Sequence, residues 1–527
     1  MPRASPHPAL MSLLDLLLLP HSSLPYDTAK QSFHSSNAGL PLYQLYLVSL
    51  PALSSLVLYW SYRSRPPNGA RRFIHEFVVL VLPLILGMTL CAGRPLVLNA
   101  VLLMRASAVW WNERRAEALH EHLASADDGS QQTHKDTDGE RPPAPADAKA
   151  AYHYPPLTTY RAHMMLMTVL SILACDFPVF PRALGKTSIK GWSLMDVGVG
   201  SFVLSSGLAA ARSLVPRPGG KGGAGVGKTL RRQLPLLALA LARVVAVKAL
   251  HYPEQVEEYG VHWNFFCTLF LLPLLALTFK PLLRAAARTG GAEWAAGVAT
   301  SLGLAVTAVH QGWLDGGVGP WALGEDRSGM LAQNKEGIVS LPGYLAIYLF
   351  GSAIGLLLPL SPPSPPTKEP APGVVLAQLA PLLAVLGAAF AAARYYAVGG
   401  GPSRRLANTQ YVLHTAVYNL FFLSAYILLD AFYFTSRPAL ASSSPAPASS
   451  RAPPPSTPAS RAQAPGPRTP TLFHSLNAHP LALFLLANLL TGLVNLALPT
   501  MYVRDVPALV VLGAYAGVVC AVGWGWP

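Results

Sequence analysis

The chain has 527 residues and a formal net charge of +14, with 39 Lys and Arg against 25 Asp and Glu. Only 12% of its residues are charged and 52% are hydrophobic, whereas an ordinary soluble domain is about 25% charged. So few charges exclude a soluble enzyme, and so many hydrophobic residues exclude a disordered chain. The composition predicts an all-α polytopic membrane protein embedded in a lipid bilayer.

The basic residues do not have the pattern of a nucleic-acid-binding surface. They stand singly or in pairs between long apolar runs, without a basic stripe that carries interleaved aromatic residues. The spacings of Cys91, Cys175, Cys267 and Cys520 match neither a zinc site nor a disulfide framework. We therefore expect no nucleic-acid partner, no metal site and no bound cofactor.

Thirteen apolar runs predict transmembrane helices, each of which needs about 20 mostly apolar residues. They lie at residues 42–62, 73–91, 94–111, 163–181, 194–212, 232–251, 261–279, 293–313, 340–360, 373–393, 409–431, 480–498 and 505–525. Basic residues concentrate in the loops 63–72, 212–232 and 280–288, which is typical of cytosolic loops. Thirteen spans then place the N-terminus in the lumen and the C-terminus in the cytosol.

The chain divides into a short N-terminal segment and one long membrane domain. Residues 1–40 contain a Leu-rich run that is too short to span, and we expect a luminal or interfacial segment there. Residues 41–527 are predicted to form a single multi-span domain with low-complexity cytosolic loops at 112–160, 361–372 and 436–470.

Ionisable side chains at membrane depth are costly, so each one indicates a functional site. Asp176 precedes Pro178 and Pro181 at the luminal end of the fourth span, and Lys186 follows ten residues later. Because the prolines end the helix, we expect Asp176 and Lys186 to meet across a tight re-entrant loop. Asp196, at the start of the fifth span, is a candidate for the same site or for pairing within the bundle.

Further polar candidates lie on the predicted luminal side. His262 and Asn264 open the seventh span, where His262 is a second candidate for a general base or a satisfied structural histidine. The other candidates are cations, an amide and a histidine near span ends: Arg182, Lys190, His310, Asn334, Lys335, Arg404 and Arg405. Luminal cations oppose the usual charge rule, and they indicate binding of an anionic headgroup or a phosphate.

Several separated motifs resemble those of one known family. They lie at residues 191–203, 205–207, 258–266, 310–311, 334–338, 342–344, 404–408 and 488–492. In this order they resemble the GPI inositol acyltransferases, which include the fungal GPI-anchored wall transfer proteins and their animal counterparts. Two positions depart from the family pattern: Ala183 stands where a second Arg is expected, and 409–411 reads Thr-Gln-Tyr in place of Leu-Pro-Tyr.

The resemblance implies an enzyme of the endoplasmic reticulum membrane that transfers a fatty acyl group, usually palmitoyl, from acyl-CoA. The acceptor would be the inositol 2-hydroxyl of glucosaminyl-phosphatidylinositol, early in GPI-anchor synthesis. The family's proposed catalytic pair, an Asp in Asp-Phe-Pro and a Lys ten residues on, falls on Asp176 and Lys186.

We expect Asp176 to act as general base on the inositol hydroxyl. Lys186 would hold it ionised or stabilise charge on the thioester oxygen. The nearby cations would contact phosphates of the lipid or of CoA, and Cys175 is an alternative as a nucleophile. A polytopic lipid transporter or flippase is the alternative function, although the sequence shows no inverted repeat. A non-catalytic scaffold would not need the luminal polar clusters.

Overall fold

The computed structural model describes residues 26–34, 37–62, 69–127, 154–215, 225–249, 256–360, 370–435 and 468–526. These residues form helices with connecting turns and loops and contain no strand, only a single antiparallel bridge between Leu40 and Trp192. The helices are α1 (Tyr26–His34), α2 (Leu42–Ser49), α3 (Pro51–Ser61), α4 (Ala70–Glu76), α5 (Leu82–Met88), α6 (Pro95–Asp127), α7 (Pro155–Ala174), α8 (Leu194–Leu214), α9 (Val226–Ala249), α10 (Val256–Tyr259), α11 (Phe265–Ala276), α12 (Lys280–Trp313), α13 (Gly319–Leu323), α14 (Gly329–Gln333), α15 (Lys335–Leu357), α16 (Pro372–Tyr395), α17 (Thr409–Asp430), α18 (Thr471–Ala478), α19 (Pro480–Ala497) and α20 (Asp505–Gly525).

Each of the thirteen predicted spans overlaps a helix. Within the described ranges, eight helical stretches are long and apolar enough to cross a membrane: Leu42–Ser61, Leu194–Leu214, Phe265–Leu323, Lys335–Leu357, Pro372–Tyr395, Thr409–Phe434, Pro480–Ala497 and Asp505–Gly525. The stretch Phe265–Leu323 includes most of two predicted spans. The helical membrane fold is confirmed, while the count of thirteen and the sides of the two termini stay predictions.

Several predicted regions lie mainly outside the described residues. These are the Leu-rich run of the N-terminal segment and most of the low-complexity loops at 112–160, 361–372 and 436–470. The division of the chain at residue 40 also stays a prediction.

Helix α7 begins and ends earlier than the sequence predicts. The span was expected at 163–181, but the helix runs from Pro155 to Ala174. Pro155 and Pro156 occupy its first turn, where a missing backbone N–H costs nothing and the fixed φ suits a helix start. Asp176 therefore follows the helix, on the turns that lead into the next loop.

Helix α15 lies at the centre of the bundle, and nearly all of its residues from Gly343 to Leu356 are buried. It packs very closely on α8: a Cβ on Gly207 would overlap the carbonyl of Tyr348, and one on Gly351 would overlap the carbonyl of Leu204. In a membrane, small residues of this kind allow the van der Waals contact that holds helices together. Close packing on α15 thus fixes α8, whose first half borders the cavity described next.

Candidate functional site

A cavity of about 540 Å³ lies between α7, α8, α17 and α19, and α1, α9 and the loops before α8 and α11 also line it. One face of α7 forms a wall, because Met164, Thr168, Ser171 and Cys175 recur at spacings of three or four residues. With about 1.5 Å of rise per residue, the stretch from Met164 to Cys175 is about 16 Å long. The cavity therefore extends along α7.

The lining is charged near the end of α7 and largely apolar elsewhere. The charged side chains of the lining are Lys30, Asp176, Arg182, Lys186, Arg243, Glu258 and Arg404. Its apolar side chains include Met167, Ile172, Phe202, Phe265, Phe422 and Phe484. A long apolar space with convergent polar groups at one end suits a ligand that has a polar head and a hydrocarbon chain.

The other part of the cavity along α7 carries two hydrogen-bonded pairs between α7 and α17. The Tyr160 hydroxyl donates to Asn419 Oδ1 at 2.5 Å, and the Tyr426 hydroxyl lies 2.7 Å from His163 Nδ1. All four residues line the cavity. The two hydroxyls, Asn419 Oδ1 and His163 Nδ1 are used in these pairs, whereas His163 Nε2 is buried without a hydrogen-bond partner in the described part of the chain. This region therefore presents mainly ring and methylene surface to the cavity.

Asp176 is held by two residues from distant parts of the chain. Asn495 Nδ2 donates to Asp176 Oδ2 at 2.8 Å, and Lys30 Nζ lies 3.4 Å from Asp176 Oδ1. The side chain of Asp176 is 11% exposed, so the carboxylate is largely buried at the cavity wall. Both of its oxygens thus have polar partners, and the residue lies where a polar ligand head would enter.

Lys186 begins a chain of alternating charges. Its Nζ lies 2.7 Å from Glu258 Oε1, which is 3.7 Å from Arg404 Nη2. Arg404 Nε in turn lies 2.6 Å from Asp196 Oδ1, and both of these side chains are almost fully buried. Thr187 donates to Asp196 Oδ2 from its backbone N–H and its hydroxyl. This series of charge contacts connects the loop after α7 with α8, α10 and the turn before α17.

These contacts determine the pKa values of Glu258 and Arg404. Burial by itself would raise the pKa of Glu258, but the charges of Lys186 and Arg404 and the hydrogen bond from Lys186 lower it to about 2. Burial would lower the pKa of Arg404, but Glu258 and Asp196 raise it well above its ordinary value. Glu258 and Arg404 are therefore fixed charges, which stay ionised through the physiological range.

The expected contact between Asp176 and Lys186 is not found, although both residues line the cavity. Among the described residues, Lys186 pairs with Glu258 and Asp176 pairs with Lys30. The loop from 177 to 185 contains a short turn of 3₁₀-helix at Arg182–Leu184. The alternative of pairing within the bundle is found for Asp196, through Arg404.

Arg182 and Asn264 line the cavity and also hold its wall in place. Arg182 Nη2 donates to the carbonyls of Cys175 at 2.6 Å and Phe180 at 3.2 Å, next to the end of α7. Asn264 is the N-cap of α11: its Oδ1 accepts from the backbone N–H of Phe266 at 3.0 Å, and its Nδ2 donates to the carbonyl of Ala240. Both side chains thus satisfy backbone groups that helix ends or turns leave open.

The remaining predicted site residues are not among those that line this cavity. Asn334 Oδ1 accepts from the backbone N–H groups of His262 and Trp263, and Lys335 Nζ donates to the carbonyls of Gly324 and Asp326. His310 Nε2 lies 2.9 Å from the carbonyl of Leu406. These side chains connect loops to helix ends.

Two predicted cations also lie away from the cavity. Arg405 contacts the carbonyl of Ser188 and the carboxylate of Glu257, each at 3.2 Å. Lys190 is exposed and lies against the turn at Gly400. The structure thus brings together Asp176, Lys186, Arg182, Asn264 and Arg404 on the cavity, with Asp196 directly behind Arg404.

Lys30, Glu258 and Asn495 are site residues that the sequence analysis did not select. Lys30 lies before the first predicted span, and Asn495 resembles the asparagines that join membrane helices. Glu258 carried a usable signal, because an acid in a motif segment of a predicted luminal loop is a natural partner for the cations predicted on the same side. Their positions, far from residue 176 in the sequence, give no local pattern.

The described residues contain no group of three or more His, Cys, Asp or Glu that could hold a metal ion. The four cysteines are free thiols, and Cys175, beside Asp176, lines the cavity. Cys175 Sγ lies 3.3 Å from the carbonyl of Ile172, which makes the thiol a donor to its own helix.

Comparisons with known proteins give one family. The model of the GWT1 family matches residues 26–526. GPI-anchored wall transfer protein 1 of Aspergillus oryzae is 35% identical over 519 residues, which cover 94% of this chain and 97% of that protein. Its counterpart in Yarrowia lipolytica is 31% identical over 92% of this chain and 94% of that protein. The counterpart in Cryptococcus neoformans var. grubii is 38% identical over 402 residues, which cover 70% of this chain and 61% of that protein.

Proposed function

Because the chain belongs to the GWT1 family of GPI inositol acyltransferases, we propose that it transfers a fatty acyl group, usually palmitoyl, from acyl-CoA to the inositol 2-hydroxyl of glucosaminyl-phosphatidylinositol. The observation that carries this proposal is the long apolar cavity with its charged groups at one end. We place the reaction in the endoplasmic reticulum membrane, with thirteen spans and the charged groups on the luminal side.

The proposal assigns the two parts of the cavity to the two parts of an acyl thioester. The hydrocarbon chain lies along α7 against Met167, Ile172 and Phe422, which supply apolar contact surface. The thioester carbon then lies near Asp176 and Lys186. Arg182 and Arg404 supply positive charge for the phosphates of the lipid or of CoA, since charge-assisted hydrogen bonds to phosphate are strong.

In the proposed reaction, Asp176 takes the proton of the inositol 2-hydroxyl as the oxygen attacks the thioester carbon. The new C–O bond forms a tetrahedral intermediate with a negative oxygen, and breaking of the C–S bond releases CoA as a thiolate. The proton on Asp176 then returns to the thiolate, so no acyl-enzyme is needed. Asp176 carries this role in the proposal because it lines the cavity beside the charged groups.

Lys186 stabilises the negative oxygen in this scheme. Its ammonium is oriented by Glu258 and is 38% exposed, so it keeps a side open toward the cavity. Positive charge placed in advance where negative charge develops is a large source of catalysis. His262 remains the second choice for the base, but its imidazole is not part of the cavity lining and would have to reach the acceptor from behind Val261 and Trp263.

The experiment is acyl transfer by the purified full-length protein in detergent, with palmitoyl-CoA and glucosaminyl-phosphatidylinositol, read by mass spectrometry. The matched control is an acceptor whose inositol 2-hydroxyl is methylated. We expect acylated product from the first acceptor and none from the second. Absence of product from folded protein with the first acceptor would contradict the proposed activity, and product from the methylated acceptor would contradict the proposed position of transfer.

A further inference from the structure

We propose that Lys30, in the helix that precedes the first predicted span, is a positioning residue that orients the carboxylate of Asp176 and keeps it ionised. This inference rests on the proposed function, since it assigns Lys30 a role through the proposed base. It also assigns the segment before the membrane helices a direct part in the site.

Lys30, Asp176 and Asn495 form a closed ring of polar contacts. Lys30 Nζ lies 3.4 Å from Asp176 Oδ1 and donates to Asn495 Oδ1 at 2.8 Å. Asn495 Nδ2 then donates to Asp176 Oδ2, also at 2.8 Å. The three residues come from α1, the end of α7 and α19, so the ring joins three distant segments at one carboxylate.

The surroundings of Asn495 fix the direction of its amide. Asn495 Oδ1 accepts from Lys30 and from the Thr500 hydroxyl, at 2.8 and 2.9 Å. An amide oxygen accepts and an amide nitrogen donates, so the nitrogen must face Asp176. Lys30 thus acts on Asp176 both directly, through its charge, and indirectly, through the orientation of Asn495.

Helix α1 is held against the bundle by more than this ring. Ala29 packs with Met501 and Tyr502 in a small apolar cluster. Phe33 lies under the guanidinium of Arg182, with 4.0 Å between the ring centre and the guanidinium carbon. These contacts fix the position of α1 along the cavity wall. This position brings the ammonium of Lys30 to the carboxylate of Asp176.

The next residues of the same segment hold the loop that carries Lys186. Asn37 Nδ2 donates to the carbonyls of Arg182 at 2.7 Å, Gly185 at 2.8 Å and Lys186 at 3.2 Å. Lys30, Phe33 and Asn37 all line the cavity. The segment before the first span therefore contacts both proposed catalytic residues. The ammonium of Lys30 contacts the carboxylate of Asp176, and the amide of Asn37 contacts the backbone carbonyl of Lys186.

A general base must be ionised before it can take a proton, and a neighbouring ammonium favours the ionised carboxylate. The Lys30 and Asp176 side chains are only 18% and 11% exposed, so solvent screens their attraction less than it screens a surface pair. Loss of the ammonium should make the carboxylate easier to protonate. As the pH is lowered, the activity of such a variant should therefore begin to fall at a higher pH than the activity of the wild type.

Other charged and titratable groups surround Asp176 and remain when Lys30 is changed. Cys175, on its own turn, and Arg182, on the following loop, interact with Asp176 directly, and Lys186 and Tyr515 of α20 interact with the neighbouring Cys175. Arg182 and Lys186 keep some positive charge near the site. We therefore expect a shift of the acid limb rather than loss of the ionised form at every pH.

The test measures kcat/KM against pH for purified full-length wild type, Lys30→Gln and Lys30→Arg. Lys30→Met is a second neutral variant, and Lys228→Met is a control at an exposed lysine of α9. We expect the acid limb to move to higher pH by about one unit in both neutral variants, because an opposite charge at this range shifts a carboxyl by about that much or more. Lys30→Arg and Lys228→Met should keep the wild-type limb.

A neutral variant with the wild-type acid limb would overturn the inference, whether or not its activity were lower, because a merely structural residue lowers activity equally at every pH. A wild type without product at any pH would overturn the proposed function itself, and with it the role of Lys30. A thermal-unfolding cycle of Lys30→Gln and Asp176→Asn tests the pair without activity. We expect coupled effects, and additive effects would also overturn the inference.

Discussion

Lys186 and Glu258 form an ion pair of 2.7 Å at the cavity wall, and the same carboxylate oxygen lies 3.7 Å from Arg404. Glu258 thus stands between two cations that come from different loops. This relationship assigns Lys186 a place in a charge chain that ends at the buried Asp196. Asp176 is not part of this series of contacts and belongs to the separate ring with Lys30 and Asn495.

Glu258→Gln should lower the stability of the protein at pH values above the ordinary pKa of a carboxyl group. It should also remove one source of the loss of stability in acid. The pKa of Glu258 falls from 4.5 to about 2 on folding, chiefly through Lys186 and Arg404 acting against the effect of burial. A carboxyl group whose pKa is lowered by folding stabilises the protein at pH values above 4.5. This stabilisation is lost as the pH falls toward 2.

Thermal unfolding in detergent at pH 7 and over the pH range below 5 measures this effect. Wild type should lose more stability on acidification than Glu258→Gln. Glu257→Gln is the matched control, since the side chain of Glu257 is 76% exposed and solvent screens its pair with the buried Arg405. Parallel pH curves for wild type and Glu258→Gln would contradict the assignment.

Lys186→Met should lower kcat by about 100-fold or more, if Lys186 stabilises the developing oxyanion. Glu258→Gln keeps the ammonium and should have a smaller effect on kcat. Lys228→Met, at an exposed lysine of α9, should match wild type. Steady-state kinetics of the purified proteins distinguish these outcomes, and near-normal kcat in Lys186→Met would remove that residue from the chemistry.

The helices could be predicted from the sequence because a long apolar run in lipid has few solutions, and a helix satisfies all of its own backbone groups. The helix ends were harder to predict. The end of α7 was placed seven residues late because the apolar run continues through Phe177 and Val179 after the helix has ended at Ala174. Hydropathy reports burial, and buried turns are as apolar as buried helix.

The partners of the charged residues could not be predicted. Asp176 meets Lys30 and Asn495, which are 146 and 319 positions away in the sequence. Lys186 meets Glu258 in place of the nearby Asp176. Sequence spacing identifies costly charges, but only the packing of α1, α10 and α19 decides which opposite charge each one finds.

Gly351→Ala should destabilise the bundle by about 1–3 kcal/mol, the usual cost of overpacking a tight contact. A Cβ at this position would overlap the carbonyl of Leu204, where α15 and α8 approach closely. Gly387→Ala is the matched control, since nothing lies near a Cβ there. It should leave stability unchanged or raise it through helix propensity. Equal unfolding temperatures for the two variants would contradict the close approach of α8 and α15.

Met167→Trp should raise KM for palmitoyl-CoA more than for a short-chain acyl-CoA. Met167 lies on the cavity face of α7 between Met164 and Ser171, where the proposal places the hydrocarbon chain. A larger ring there would fill part of the space. Met330→Trp, at a methionine that is 75% exposed on α14, is the control. An equal KM change for long and short donors would contradict this placement of the chain.

The most direct test of the account is acyl transfer from palmitoyl-CoA to glucosaminyl-phosphatidylinositol by Asp176→Asn beside wild type. Asp505→Asn, at an exposed aspartate of α20, is the control, and thermal unfolding shows whether each variant is folded. The account predicts product from wild type and Asp505→Asn and none from folded Asp176→Asn. Near-normal product from Asp176→Asn would contradict its role as the base and direct the search to His262.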